Sequence, residues 1–158
     1  MTTREQPWVD PSGSAGRVVV LTRNPIAEAI ASIAAVVGRE VVVVEQDADG
    51  HGADAVAALA PGPGDAVVLC DHDAPDAPRV LRESLASGAA YVAMMASRRR
   101  AAGLLEELAQ EGAAGLDKLH VPAGLDTGGR SPGEIALSVV AEIVAESHGR
   151  SGGSMRGR

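Results

Sequence analysis

Two stretches of the chain concentrate groups able to bind or move charge. Ala96-Ser97-Arg98-Arg99-Arg100 sets a helix-capping serine directly before three guanidinium groups. A helix N-terminus presents free backbone amides, and arginines beside it form paired bonds to oxyanions, so Ser97, Arg98 and Arg99 suit a phosphate. The alternative is a basic first turn on an exposed helix, although arginine at that end opposes the helix dipole. Cys70-Asp71-His72-Asp73 is the second stretch. A histidine between carboxylates, here His72 beside Asp73, can carry a proton or ligate a metal. Equally, Asp73 or Asp76 can cap the next helix and leave His72 exposed.

Two further loops complete the candidate site. Pro122 to Glu134 is rich in glycine and small residues, and Gly124 and Gly128 allow the backbone to approach a ligand beside Asp126 and Arg130. A plain connecting loop is the competing view. Thr22-Arg23-Asn24-Pro25-Ile26-Ala27 stands where a dinucleotide-binding sheet carries G-x-G-x-x-G or G-x-G-x-x-A, and only Ala27 matches. Asn24 tolerates the backbone of the second glycine but fills space that a pyrophosphate needs, so NAD(P) is not the expected cofactor. Glu45 ends the next apolar run, followed by Asp47 and Asp49, roughly where a Rossmann domain places its ribose-binding acid. Acids after a strand are also ordinary loop residues.

The elements that must hold these loops are read from hydrophobic pattern. Short Val-rich runs at 17–22, 40–45, 65–70 and 90–95, with a short fifth at 118–122, alternate with alanine-rich stretches of helical period at 25–37, 53–60, 76–87, 97–110 and 132–147. That alternation is characteristic of βαβ units. Asn24-Pro25 opens one helix, Gly38 ends it, and Ser131-Pro132-Gly133-Glu134 is a capping box. The expected architecture is α/β, a three-layer Rossmann-like fold with a mainly parallel sheet of about five strands in the order 3-2-1-4-5. In it, ligands bind at the carboxyl ends of the strands beside a switch point between strands one and four. The domain is expected over residues 17–148, between a flexible segment at 1–16 and a flexible tail at 149–158.

Composition narrows the class. The 158 residues suit one domain, and a formal net charge of −7 argues against a nucleic-acid partner. No apolar run is long enough to cross a membrane, and no signal peptide is evident, so a cytoplasmic protein is expected. One cysteine, Cys70, can form neither an internal disulfide nor a multi-thiolate metal site. With Trp8 and Tyr91 as the only aromatic residues, the core must be aliphatic.

Tyr91, Ser97-Arg98-Arg99, His120-Val121-Pro122, Gly124-Leu125-Asp126, Gly128, Ser131-Pro132-x-Glu134-Ile135-Ala136 and Ala141-Glu142-Ile143 occur in one order along one sheet edge. In this the chain resembles the C-terminal Rossmann-like domain of the xanthine dehydrogenase accessory factor family, of the XdhC and CoxI type. Asp71-His72-Asp73 is similar to that family's Thr-His-Asp motif. The resemblance implies a maturation factor that binds molybdenum cofactor, serves a molybdenum hydroxylase such as xanthine or carbon monoxide dehydrogenase, forms a homodimer and does not itself turn over a metabolite. On that basis Ser97, Arg98 and Arg99 would hold the cofactor phosphate, with His72, Asp126 and the Gly124–Gly129 loop nearby.

The chain departs from the family at Thr22-Arg23-Asn24, in place of Gly-x-Gly, and at Ala96, in place of glycine. The residues before Arg17 do not carry the Gly-Gly-Cys motif of the family's separate N-terminal domain, so the chain is expected either to borrow that cysteine from a partner chain or not to handle the cofactor's sulfur. Two other functions fit the same residues: an NAD(P)-binding oxidoreductase-like domain, with His72 as proton donor, and a dimeric interaction module without ligand.

Overall fold

Val18, Val19, Val20 and Leu21 have no exposed surface, which is possible only for a strand covered on both faces. The computed structural model describes residues 16–45 and 51–156. Residues 1–15 of the expected N-terminal segment, together with Asp47 and Asp49, lie outside them. The elements are β1 (Val18–Leu21), α1 (Pro25–Val36), β2 (Val41–Val44), α2 (His51–Leu59), β3 (Ala66–Leu69), α3 (Ala77–Ala86), β4 (Tyr91–Met94), α4 (Arg98–Gln110), β5 (Leu119–His120) and α5 (Pro132–Ser147). All five strands are parallel.

The strand order is β2-β1-β3-β4-β5, which corrects the expected 3-2-1-4-5. The chain reverses after β2, not after β3, so β3 crosses back and pairs with the other side of β1, in the register Val18 to Ala66 and Leu21 to Leu69. The helices show why. Val18 and Val20 face α1 and α5, packing with Ala27, Ile30, Val139 and Ile143. Val19 and Leu21 face the opposite layer, with Val56 of α2, Leu81 of α3 and Leu108 of α4. Right-handed crossovers that place α1 on one face and α2 on the other require movement in opposite directions along the sheet. The switch point therefore lies between β1 and β3, not between strands one and four.

Each fully buried Val or Leu in these two layers contributes about 1.5–3 kcal/mol relative to exposure. At the amino ends of the strands, Arg17 Nη2 meets Asp65 Oδ2 at 2.9 Å, and the amides of Arg17 and Gly62 donate to the same carboxylate, each at 2.8 Å. That clamp fixes the sheet at the end remote from the loops of interest.

Candidate functional site

The loops at the carboxyl edge are held by their own caps. Asn24 Oδ1 accepts from Ala27 N at 2.8 Å, Ser97 Oγ accepts from Arg100 N at 3.2 Å, and Ser131 and Glu134 cap α5 reciprocally. Asp76 precedes α3 but its side chain makes no cap bond there, and Asp73 instead meets Arg100 Nη2 at 3.1 Å. Asp71 Oδ1 accepts from Asp73 N at 2.9 Å, closing a tight turn that turns His72 towards β4.

The first turn of α4 separates two depressions. On one side lies a hollow of about 430 Å3 lined by Arg98, Gly124, Asp126, Gly128 and Arg130 among others. On the other, between α3 and α4, is a cleft of about 610 Å3 that includes His72, Ser97 and Arg99. The expected phosphate cradle is thus divided: Arg98 faces the glycine loop, where its Nη2 lies 3.6 Å from Asp126 Oδ2, and Arg99 faces the cleft. Both partners of the Arg98–Asp126 pair are more than four-fifths exposed, so the contact leaves Arg98 available to a stronger anion.

Asn24, Glu45 and Asp73 line neither depression. Asn24 lies at the switch point, its amide donating to Cys70 O at 3.2 Å, and Glu45 accepts from Arg23 Nε at 3.0 Å. His72 Nδ1 lies 2.8 Å from Met95 O. A carbonyl only accepts, so Nδ1 carries a hydrogen, while Nε2 lies 3.4 Å from Asp73 Oδ2. Among the described residues no group of three or more His, Cys, Asp or Glu is placed to hold a metal ion.

Beneath the glycine loop is a polar cluster that sequence reasoning gave no role. Glu142 Oε1 accepts from Tyr91 Oη at 2.5 Å and from Gly124 N at 3.1 Å, and lies 3.4 Å from His120 Nδ1; Tyr91 and His120 stack with ring centroids 4.5 Å apart. Burial pushes the Glu142 carboxyl up, but bonds from His120, Tyr91 and Gly124 outweigh it and hold the group below its ordinary value. Burial, then the nearby carboxylate, drives the Tyr91 hydroxyl well above its usual range, so it remains a donor. Gly124 has φ +98°, and a Cβ there would collide with Ser138 Oγ of α5. The loop is thereby pinned to the last helix at Gly124 and hydrogen-bonded to β4 through Ala123 N and Met94 O at 3.1 Å. Fifty-one residues separate Tyr91 from Glu142, so no local spacing announces the pair.

The other residues that the sequence left unremarked are Arg82 and Gly103. Arg82 bonds Glu111 through Nε at 2.6 Å and Nη2 at 3.0 Å, bracing α3 against α4. Gly103, an isolated glycine inside a helical pattern, is the one signal that could have pointed to the cleft.

Doubly wound helices on both faces of a parallel sheet, with charged loops gathered at its carboxyl edge, define a Rossmann-like domain. The XdhC Rossmann domain matches residues 18–143, and the chain belongs to that family. It is 28% identical over 167 residues to the uncharacterized protein YqeB of Escherichia coli, covering 94% of this chain and 30% of that one. A solved structure described as a xanthine dehydrogenase from Bacillus halodurans shares the fold with a TM-score of 0.64 at 20% identity, over 83% of this chain and 42% of that one. The chain therefore spans less than half the length of either relative.

Proposed function

We propose that this domain is the cofactor-binding part of an accessory, or maturation, factor for a molybdenum hydroxylase of the xanthine or carbon monoxide dehydrogenase type, and that it works as a homodimer. Family membership and the description of the Bacillus halodurans structure support the association. The observation that carries the binding role is the loop-side hollow, where Arg98 from α4 and Arg130 from the glycine loop line one space of about 430 Å3. Molybdenum cofactor is a pterin bearing a phosphate. The phosphate suits the two guanidiniums and the α4 amides, and the polar pterin edge suits Asp126 and the loop backbone.

The residues fit the phosphate and the pterin but not sulfur chemistry. Cys70 is 6% exposed, and its thiol is pushed up to about 12, first by burial and then by Asp71, so it does not form a thiolate at neutral pH. Any sulfur transfer to the cofactor comes from a separate chain or domain. The bound cofactor supplies molybdenum chemistry to the enzyme that receives it; this domain holds and orients it.

Native mass spectrometry of protein purified from molybdate-supplemented cells tests the reading. The expected spectrum is a dimer carrying a molybdopterin-sized mass. A nicotinamide-dinucleotide mass, or an unliganded protein that also takes up no added molybdopterin, would overturn it. No described helix is long and apolar enough to cross a membrane.

A further inference from the structure

The cleft between α3 and α4 is the larger of the two depressions, and the reading above does not use it. Its floor includes Leu81, which is fully buried, and Met94, at 4% exposure, with Leu104 beside them. At one mouth stand His72 and Arg99. Arg98 meets Asp126 and Arg100 meets Asp73, whereas Arg99 has no ion pair or hydrogen bond among the described residues. At the other end Arg82, held by Glu107 and Glu111, sets the spacing of the two helices.

Gly103 is the further clue. It lies inside α4, where glycine is a poor helix former and no positive φ is involved, and a Cβ built on it would meet nothing within 4 Å. Packing therefore does not require this glycine. Its missing side chain leaves the α4 wall of the cleft open.

We propose that the α3–α4 cleft is a second ligand site, separate from the loop-side hollow, for a small planar aromatic or heteroaromatic anion. The ring lies on Leu104 and on the small exposed part of Met94, a side chain that suits contact with a π face. Its carboxylate, sulfonate or phosphate group pairs with the unengaged Arg99 guanidinium. The His72 ring, held through Nδ1 on Met95 O, stands beside Arg99 at the same mouth and offers a polar edge to the ligand. A volume of about 610 Å3 is that of a small-molecule pocket, not of a helix-binding groove. The inference is independent of the molybdenum reading, which rests on Arg98 and the glycine loop.

Anilinonaphthalene sulfonate, a flat ring system with one anionic group, is a direct probe. Fluorescence titration of the folded protein should show saturable binding, with amide shifts in an NMR spectrum centred on His72, Leu81 and Leu104 and absent from Gly124 to Gly129. Gly103→Leu, which fills the cleft, and Arg99→Ala should each weaken binding by about tenfold or more, a loss of about one order in affinity. Arg98→Ala should leave it unchanged. Gly103→Leu should keep or raise the melting temperature, since leucine is the better helix former. The proposal fails if the wild type binds no probe saturably, if folded Gly103→Leu binds as well as wild type, or if Arg98→Ala and Arg99→Ala weaken binding equally. It also fails if the cleft is occupied by a second copy, seen as probe release on raising protein concentration alone.

Discussion

The side-chain amide of Asn24 donates to the carbonyl oxygen of Cys70 at 3.2 Å, tying the loop after β1 to the end of β3 where the sheet reverses direction. The Oδ1 atom of the same side chain accepts from Ala27 N at 2.8 Å and caps α1. One residue thus bridges the crevice in which a dinucleotide fold admits pyrophosphate, and it occupies an amide that the phosphate would need. The Arg23–Glu45 pair spans the neighbouring loops on the β2 side.

Asn24→Ala should therefore destabilise the domain by about 1–2 kcal/mol through loss of the cap, read as a lower urea midpoint with an unchanged slope. The wild type should not bind NAD(P)H with low-micromolar affinity in a fluorescence titration, because Asn24 takes the place of a glycine and occupies a helix amide.

Glu142 gives the fold a defined acid limb. Its carboxyl is held below its ordinary value in the folded state by His120, Tyr91 and Gly124 despite burial. The stabilisation is full above the unfolded value, about 4.3, and is lost as pH falls below that and through the lower folded value. Glu142→Gln keeps an acceptor but no charge. It should cost about 1–2 kcal/mol at pH 7 and flatten the dependence of stability on pH between about 5 and 3, measured by urea unfolding across that range.

Cys70 should be inert. With its thiol pushed up to about 12 and its side chain buried, it should not react with iodoacetamide in the folded protein at about pH 7.5, and should react readily once unfolded. Cys70→Ala should leave ligand binding intact, a result incompatible with a sulfur-carrying role for this residue.

Much of this was legible in the residues. Valine runs marked β1 to β4 to within a residue at each end, and Asn24-Pro25, Ser97 and Ser131 with Glu134 all cap the helices they announce. The strand order was not legible, because Val41 to Val44 at the sheet edge is as apolar as the central Ala66 to Leu69. Hydrophobicity reports burial of a strand but not which side of β1 it joins, and the right-handed rule fixes the hand of a crossover, not its direction. In the site, the sequence shows Ser97-Arg98-Arg99 as a capped, basic helix start. Its division between two depressions depends on a helical rotation of about 100° between successive side chains and on where the neighbouring loop and helix stand. The support under the loop, Tyr91 with Glu142, joins residues that only the folded sheet brings together.

The most direct test of the central claim compares molybdopterin binding by wild type and by Arg98→Ala at equilibrium, with circular dichroism confirming that both are folded. Arg98 is 86% exposed and contributes little to the core, so the variant should keep its melting temperature and lose about tenfold or more in affinity, the scale of one charge-assisted pair to a phosphate. Equal affinity in the folded variant would contradict the assignment of the loop-side hollow as the cofactor site.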